Sequence, residues 1–199
     1  MKKNLTIFLS LLCLQLYAQD EWKLSRNENG IKVYTAPGGD TKFKRIKVEA
    51  RFPGTIEKLR SVLLDVANNK KWVYHTRQSR LVEMVNSNEV VYYAETTLPW
   101  PFSNRDIVIR MHFSHDPTNH SLVVTAVGVP DAIPVNRGIV RIRYFNARWE
   151  VRSESPNEIA ITYFLTINPS GNISPGISNM FVTRGPFETF NNLAGLLKH

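Results

Sequence analysis

Cysteine is almost missing from this chain. The 199 residues contain one, Cys13, and it lies in "MKKNLTIFLSLLCLQLYAQ", which pairs two lysines with a short apolar run and small Ala18, the anatomy of a secretory signal peptide. On this reading residues 1–18 are a signal segment and residues 20–199 form one domain, exported to the periplasm or cell exterior. The mature chain then has no thiol, which excludes disulfides and a cysteine nucleophile. Leu12 occupies the place before Cys13 where a lipid-anchor signal needs a small residue, so Cys13 is not read as a lipidation site. Long hydrophobic runs are lacking too. Leu5 to Leu16 falls short of the ~20 residues that span a bilayer, and no later segment reads as transmembrane.

Metal-ligand spacing is equally scarce. His112, His115, Asp116 and His120 form the one cluster, in "HFSHDPTNH", but strand residues three apart point to opposite faces, and the spacing matches none of the usual ligand patterns. It reads as a hairpin tip, so no metal is expected. There is no G-x-S-x-G elbow and no G-x-G-x-x-G loop, so no catalytic residue and no cofactor is expected. The formal charge is +8, falling to +6 without Lys2 and Lys3, and the basic residues are spread from Lys23 to Lys198. A modest positive field favours anionic surfaces, lipid headgroups included, and is equally that of a soluble basic domain; nucleic acid does not suit an exported protein.

What the chain does contain is alternation. Asn29-Gly30 between "WKLSRNE" and "IKVYTA" is a hairpin signal. In "FKRIKVEARF", Ile46, Val48, Ala50 and Phe52 fall on one face, as in a half-buried strand. Thr55 then offers a helix cap, and Ile56, Leu59, Val62, Leu63 and Val66 follow helical spacing, with a break near Ala67–Asn69. Six strand-like runs follow in three hairpin pairs. A long C-terminal helix opens at Ser174-Pro175, with Ile177, Met180, Phe181, Arg184, Phe187 and Phe190 at helical spacing and Gly185-Pro186 expected to kink it. Hairpins with helices kept apart indicate an α+β fold. A long antiparallel sheet beside one long apolar helix packs by curling round it, and a strongly curved sheet is not filled along its whole length by one helix.

"TTLPWPFSNRDIVIR", from Thr96 to Arg110, stands out. Pro99 and Pro101 lack the N–H a ladder needs, so the strand stops there. Trp100 can fold back over apolar surface, and Arg105–Asp106 restarts the pairing, the two together reading as a local ion pair. Beyond it Ile107, Ile109, Met111 and Phe113 share a face, opposite Asp106, Val108, Arg110 and His112. In "VRIRYFNARWEVR", Arg141 and Arg143 share a face with Phe145 and Trp149. This is explained by a bulge near Tyr144, by the arginines standing at a cavity mouth, or by a solvated strand end.

The order of elements, with "NGIKVY", "LLDVANNKKWV", "LPWPFSNRDIV", "VRIRYFNARWEV" and "INPSGNISPGISNMFVTRGPFETFNNL", resembles the START domain (steroidogenic acute regulatory protein-related lipid transfer) from about Trp22 to Leu197. The resemblance implies a helix-grip fold, in which a curved antiparallel sheet wraps a long C-terminal helix around an internal apolar cavity. It further implies carriage of one lipid or sterol-like molecule without chemical change, with the helix and a loop gating entry. Trp100, the four apolar residues of "DIVIRMHF", and Ile177, Met180, Phe181, Arg184, Phe187 and Phe190 are the ligand-wall candidates. Ile133 in "GVPDAIPVNRG" is the gate candidate, and Arg143 a headgroup contact at the mouth. Some START proteins place a buried acid–arginine pair in the tunnel. Glu95 and Arg110 are the counterparts here, although the register puts Met111 where the family arginine would sit. The expected partners are a hydrophobic ligand and, transiently, a membrane surface, with no nucleic acid and a monomeric state. The alternatives are a cyclase- or hydrolase-like enzyme using the same cavity and a ligand-free interaction domain.

Overall fold

Asn29 and Gly30, at φ of 52° and 75°, turn the first hairpin, because this two-residue turn needs left-handed backbone at both positions. A computed structural model describes residues 22–38, 41–170, 173 and 175–198, with the side chains of 41–43 and 175–181 outside that description. The segment read as a signal peptide also lies outside it. Strands β1 (Lys23–Glu28), β2 (Ile31–Gly38) and β3 (Thr41–Pro53) lead into helix α1 (Ile56–Leu64) and a 3-10 helix over Val66–Lys71. Thr55 Oγ1 accepts from the Lys58 N–H at 3.2 Å, which satisfies one of the unpaired donors at the start of α1.

Strands β4 (Thr76–Asn86), β5 (Glu89–Thr96), β6 (Arg105–Asp116), β7 (Ser121–Gly128), β8 (Val140–Arg141), β9 (Tyr144–Ser155) and β10 (Glu158–Asn168) follow, and α2 (Pro175–Leu197) closes the chain. The sheet order is β1-β2-β3-β10-β9-β7-β6-β5-β4. All these neighbours pair antiparallel, and β1 and β4 are left as open edges. The α+β expectation and the curved sheet with a C-terminal helix are therefore observed. The helix assignment runs without a break through Pro186.

The run from Val140 to Ser155 is not one strand. The two residues of β8 pair in parallel with β6, Arg105 opposite Val140 and Asp106 opposite Arg141, and the chain then crosses to pair β9 with β7. This change of partner, rather than a bulge, is why the charged and apolar residues of "VRIRYFNARW" do not share a face.

The core lies between the concave face of the sheet and α2. Phe190 stacks on Trp149 with ring centroids 5.2 Å apart, and Tyr163 sits 5.7 Å from the same ring. Leu193, Leu59, Ile159 and Ile161 are buried nearby. Gly54, at φ 142°, lets the end of α2 approach, since a Cβ there would lie 3.2 Å from the Leu197 carbonyl oxygen. The Asn192 amide donates to the Trp72 carbonyl at 3.1 Å, and the Tyr74 N–H donates to Thr189 Oγ1 at 3.1 Å. These two bonds fasten α2 to the segment that leads into β4.

Candidate functional site

Between the middle of α2 and the concave face lies a cavity of about 290 Å³. Strand alternation determines its wall. Tyr92, Ala94 and Thr96 of β5, Ile107, Ile109 and Met111 of β6, Phe145, Ala147 and Trp149 of β9, and Tyr163, Leu165 and Ile167 of β10 all line it, each set spaced by two as the pleat requires. Val182, Gly185, Pro186, Thr189 and Phe190 of α2 close it from above. Gly185 keeps that closure tight, because a Cβ there would sit 3.3 Å from the Tyr74 ring. Among the described residues the wall holds no carboxylate, histidine or serine. Its polar residues are tyrosines and threonines, Trp72 and Trp149 with their indole N–H groups, Asn69, Lys44 and Arg105. Burial pushes the Tyr92 and Tyr163 hydroxyls far above their ordinary pKa, with each other's proximity adding to the effect on Tyr163, so both stay protonated.

Arg105 and Asp106 are both buried but are not each other's partners. Neighbours on a strand point to opposite faces. On the cavity side the Arg105 guanidinium donates to the backbone carbonyls of Ser103, Pro169 (3.2 Å) and Ser170 (3.1 Å), which joins the β5–β6 loop to the end of β10. Burial lowers its pKa from the ordinary value. On the convex side Asp106 receives a two-pronged bond from Arg141, Nε to Oδ1 at 2.7 Å and Nη2 to Oδ2 at 3.1 Å. Arg141 also donates to the carbonyls of Pro130, Ile133 and Pro134. The pair thereby straps the 129–139 loop to the back of the sheet, where Val129 and Ile133 pack against Val91, Tyr93 and Val108.

These placements correct several expectations. Ile133 lies on the convex face, away from the cavity, because Arg141 draws its loop there. Glu95 is buried on that same face, where Asn104 (2.7 Å), Gln78 (2.7 Å) and Arg77 (3.0 Å) donate to it. Burial acts to raise its pKa, and these donors with the Arg77 charge outweigh it, holding the carboxyl below the usual range. Arg110 pairs with Glu89 and not with Glu95, since Val91 is its cross-strand neighbour. Arg143 is exposed beside Asp131. Trp100 does not fold back: it is 93% exposed at the tip of its loop.

Of the other wall candidates, Ile107, Ile109, Met111 and Phe190 line the cavity. Phe113 is buried in the core beyond it. Phe187 is buried on the other side of α2, under the Arg26 guanidinium at 3.4 Å. Arg184 is exposed, 3.9 Å from Glu188. The side chains of Ile177, Met180 and Phe181 lie outside the described residues. Sequence reasoning missed Tyr92, Trp149 and Tyr163 as wall residues, although the same period of two that marked β6 runs through their strands. It also missed Asn69, which carries no periodic signal.

The START domain family model matches residues 6–199, and the chain belongs to this family. Phosphatidylcholine transfer protein of Bos taurus is 25% identical over 169 residues, covering 82% of this chain and 78% of the relative. The crystal structure of a STAR-related lipid transfer protein fragment from Xanthomonas axonopodis superposes with a TM-score of 0.82 at 27% identity, over 90% of this chain and all of that one. An aromatase/cyclase from a Streptomyces species shares the fold alone, with a TM-score of 0.50 at 9% identity over 77% of this chain and 90% of that one.

Proposed function

We propose that this protein binds one hydrophobic molecule in the cavity and carries it unchanged between lipid surfaces. The observation that carries the reading is the cavity itself, walled by paired strands and one helix and almost free of groups able to act as acid, base or nucleophile. The named relatives, which are lipid transfer proteins, point the same way. Burial of hydrocarbon supplies the affinity, at about 25 cal/mol per Å² before ordering costs.

The size of the cavity narrows the cargo. At about 290 Å³ it sits at the low end of the ~300–1,000 Å³ usual for small-molecule sites. A single chain or compact ring system suits a cavity at that end of the range, and a bulkier lipid would need the roof to open wider. The β5–β6 loop is the gate we favour. Leu98 and Arg105 at its ends touch the cavity, its base is clamped through Asn104 and Glu95, and Trp100 projects from its tip as a side chain suited to a membrane interface. The signal-like N-terminal segment supports export of the carrier from the cytoplasm.

Native mass spectrometry of the protein purified from its own cells tests the proposal. An unmodified co-purifying lipid, exchangeable into vesicles, supports carriage. Conversion of an added lipid supports the enzyme reading. A protein that takes up no lipid from phosphatidylcholine vesicles overturns both in favour of an interaction domain.

A further inference from the structure

Two hydroxyls in the cavity wall are not used by the fold. Tyr92 of β5 and Tyr163 of β10 have no hydrogen-bond partner for their oxygens among the described residues, although buried tyrosine hydroxyls are normally partnered. On the convex face the rule holds: Tyr34 donates to Glu49 at 3.0 Å, and Tyr93 accepts from the Asn136 amide at 3.0 Å. Nor does protein seal the cavity pair off. Among the described residues, the one unpartnered side-chain polar atom that is fully enclosed is Asn69 Oδ1. Both hydroxyls therefore keep open surface, and the space that Tyr92 and Tyr163 border is the cavity. Three strands separate β5 from β10 in the sheet, and its curl brings the pair near enough for Tyr92 to act on the ionisation of Tyr163. The Tyr163 ring is held by Trp149 at 4.5 Å and Phe190 at 5.7 Å. Phenylalanine would pack as well at both places; what tyrosine adds is the O–H.

We propose that Tyr92 and Tyr163 hold the cargo by donating their hydroxyl protons to its oxygen, and that the cargo is therefore an uncharged carbonyl compound, a ketone or ester in a hydrocarbon frame. This deepens the carrier reading and rests on it. A pure hydrocarbon offers the two O–H groups nothing, whereas one carbonyl oxygen has a lone pair for each. A carboxylate would bring a charge into an apolar wall without a free cation to meet it. Arg105 is engaged by three backbone carbonyls, and Lys44 is exposed to solvent. A few precisely placed polar groups in an apolar pocket set the orientation of a ligand. Here the two hydroxyls would fix the carbonyl between β5 and β10 and leave the hydrocarbon to Ile107, Ile109 and Met111 of β6.

The test is headspace gas chromatography over the protein with 2-octanone and with 2-methyl-1-octene, which replaces C=O by C=CH2 at the same shape, and calorimetric titration with octanoate. Wild type should bind the ketone more tightly than octanoate. Tyr92→Phe and Tyr163→Phe should each weaken ketone binding about fivefold, the scale of one neutral hydrogen bond, keep the affinity for the alkene within about twofold, and melt no lower than wild type. Unchanged ketone binding in both variants overturns the assignment and leaves the carrier reading standing. An equal loss of ketone and alkene also overturns it, because the substitution would then act through cavity shape. So does a variant that melts well below wild type, which would give the hydroxyl a part in the fold. Tighter binding of octanoate than of the ketone overturns the uncharged cargo and moves the polar contact to Arg105 and Lys44. Binding of none of the three by wild type overturns the carrier reading together with this inference.

Discussion

The two faces of β6 solve opposite problems with adjacent residues. Toward α2, Ile107, Ile109 and Met111 meet empty space. Toward the 129–139 loop, Asp106 meets Arg141 and the Asn136 amide at 3.2 Å, which also reaches the Tyr93 hydroxyl. The apolar side is left unfilled, and the polar side has its buried charges paired and hydrogen-bonded. Dispersion and hydrophobic burial are non-directional, so a hollow weakens a core by degrees. A buried charge has no such tolerance, because one missing partner leaves the full desolvation penalty. Plasticity is therefore affordable only on the concave side, which is where a guest must enter.

The largest effect should come from the rigid face. Asp106→Ala leaves Arg141 buried without its carboxylate and should cost about 3–5 kcal/mol in urea denaturation, releasing the 129–139 loop to proteolysis. Next, the packed and hollow parts of the apolar core should differ under the same truncation. Ile161, fully buried outside the cavity wall, should lose about 3–4 kcal/mol as Ile161→Ala, and Ile109→Ala, on the wall, about 2 kcal/mol, because wall atoms have fewer neighbours to lose. Equal costs would erase the distinction. Ala94→Phe, which fills the cavity from β5, should change stability by under about 1 kcal/mol, where overpacking a solid core costs about 1–3 kcal/mol; lipid loading read by mass spectrometry should disappear.

Glu95 supplies a pH test of the convex side. Its folded pKa lies below the ordinary value, so its stabilisation is present above the unfolded carboxylate pKa of about 4.3 and is lost as pH falls through the lower folded one. The stability gap between wild type and Glu95→Gln should be widest near neutrality and close in acid, followed by denaturation at a series of pH values. The smallest change in stability, within about 0.5 kcal/mol, belongs to exposed Trp100→Ala. Sedimentation with anionic vesicles should nonetheless fall, and unchanged vesicle binding would remove Trp100 from the gate.

Local periodicity made much of this legible. The period of two in β3 and β6 and the helical spacing of Ile56 to Leu63 were readable because each depends on neighbours in the chain. The family resemblance supplied the cavity. What stayed hidden depends on partners distant in sequence. Arg105 and Asp106 looked like one ion pair, but beyond nearby Ser103 the partners of Arg105 lie 64–65 residues away, and Arg141, the partner of Asp106, lies 35 away. No local pattern announces that Arg141 leaves β9 for β6, and that single departure moved Ile133 from an expected gate to the back of the sheet. Asn69 was unreadable for another reason: an amide beside Asn68 and two lysines looks like solvent-facing polarity until the fold encloses it.

The sheet is unclosed, and an open ladder invites other chains to extend it. β4, one of its two margins, pairs with β5 through register shifts at three places, Thr76/Gln78, Leu81/Glu83 and Met84/Asn86, and carries Arg77, Arg80 and Glu83 along its length. A margin so crooked and charged makes a poor template for fibril growth, even though Leu81, Met84 and Val85 are exposed on it. The irregularity of that strand thus acts as a safeguard against polymerisation in a chain that leaves its sheet open.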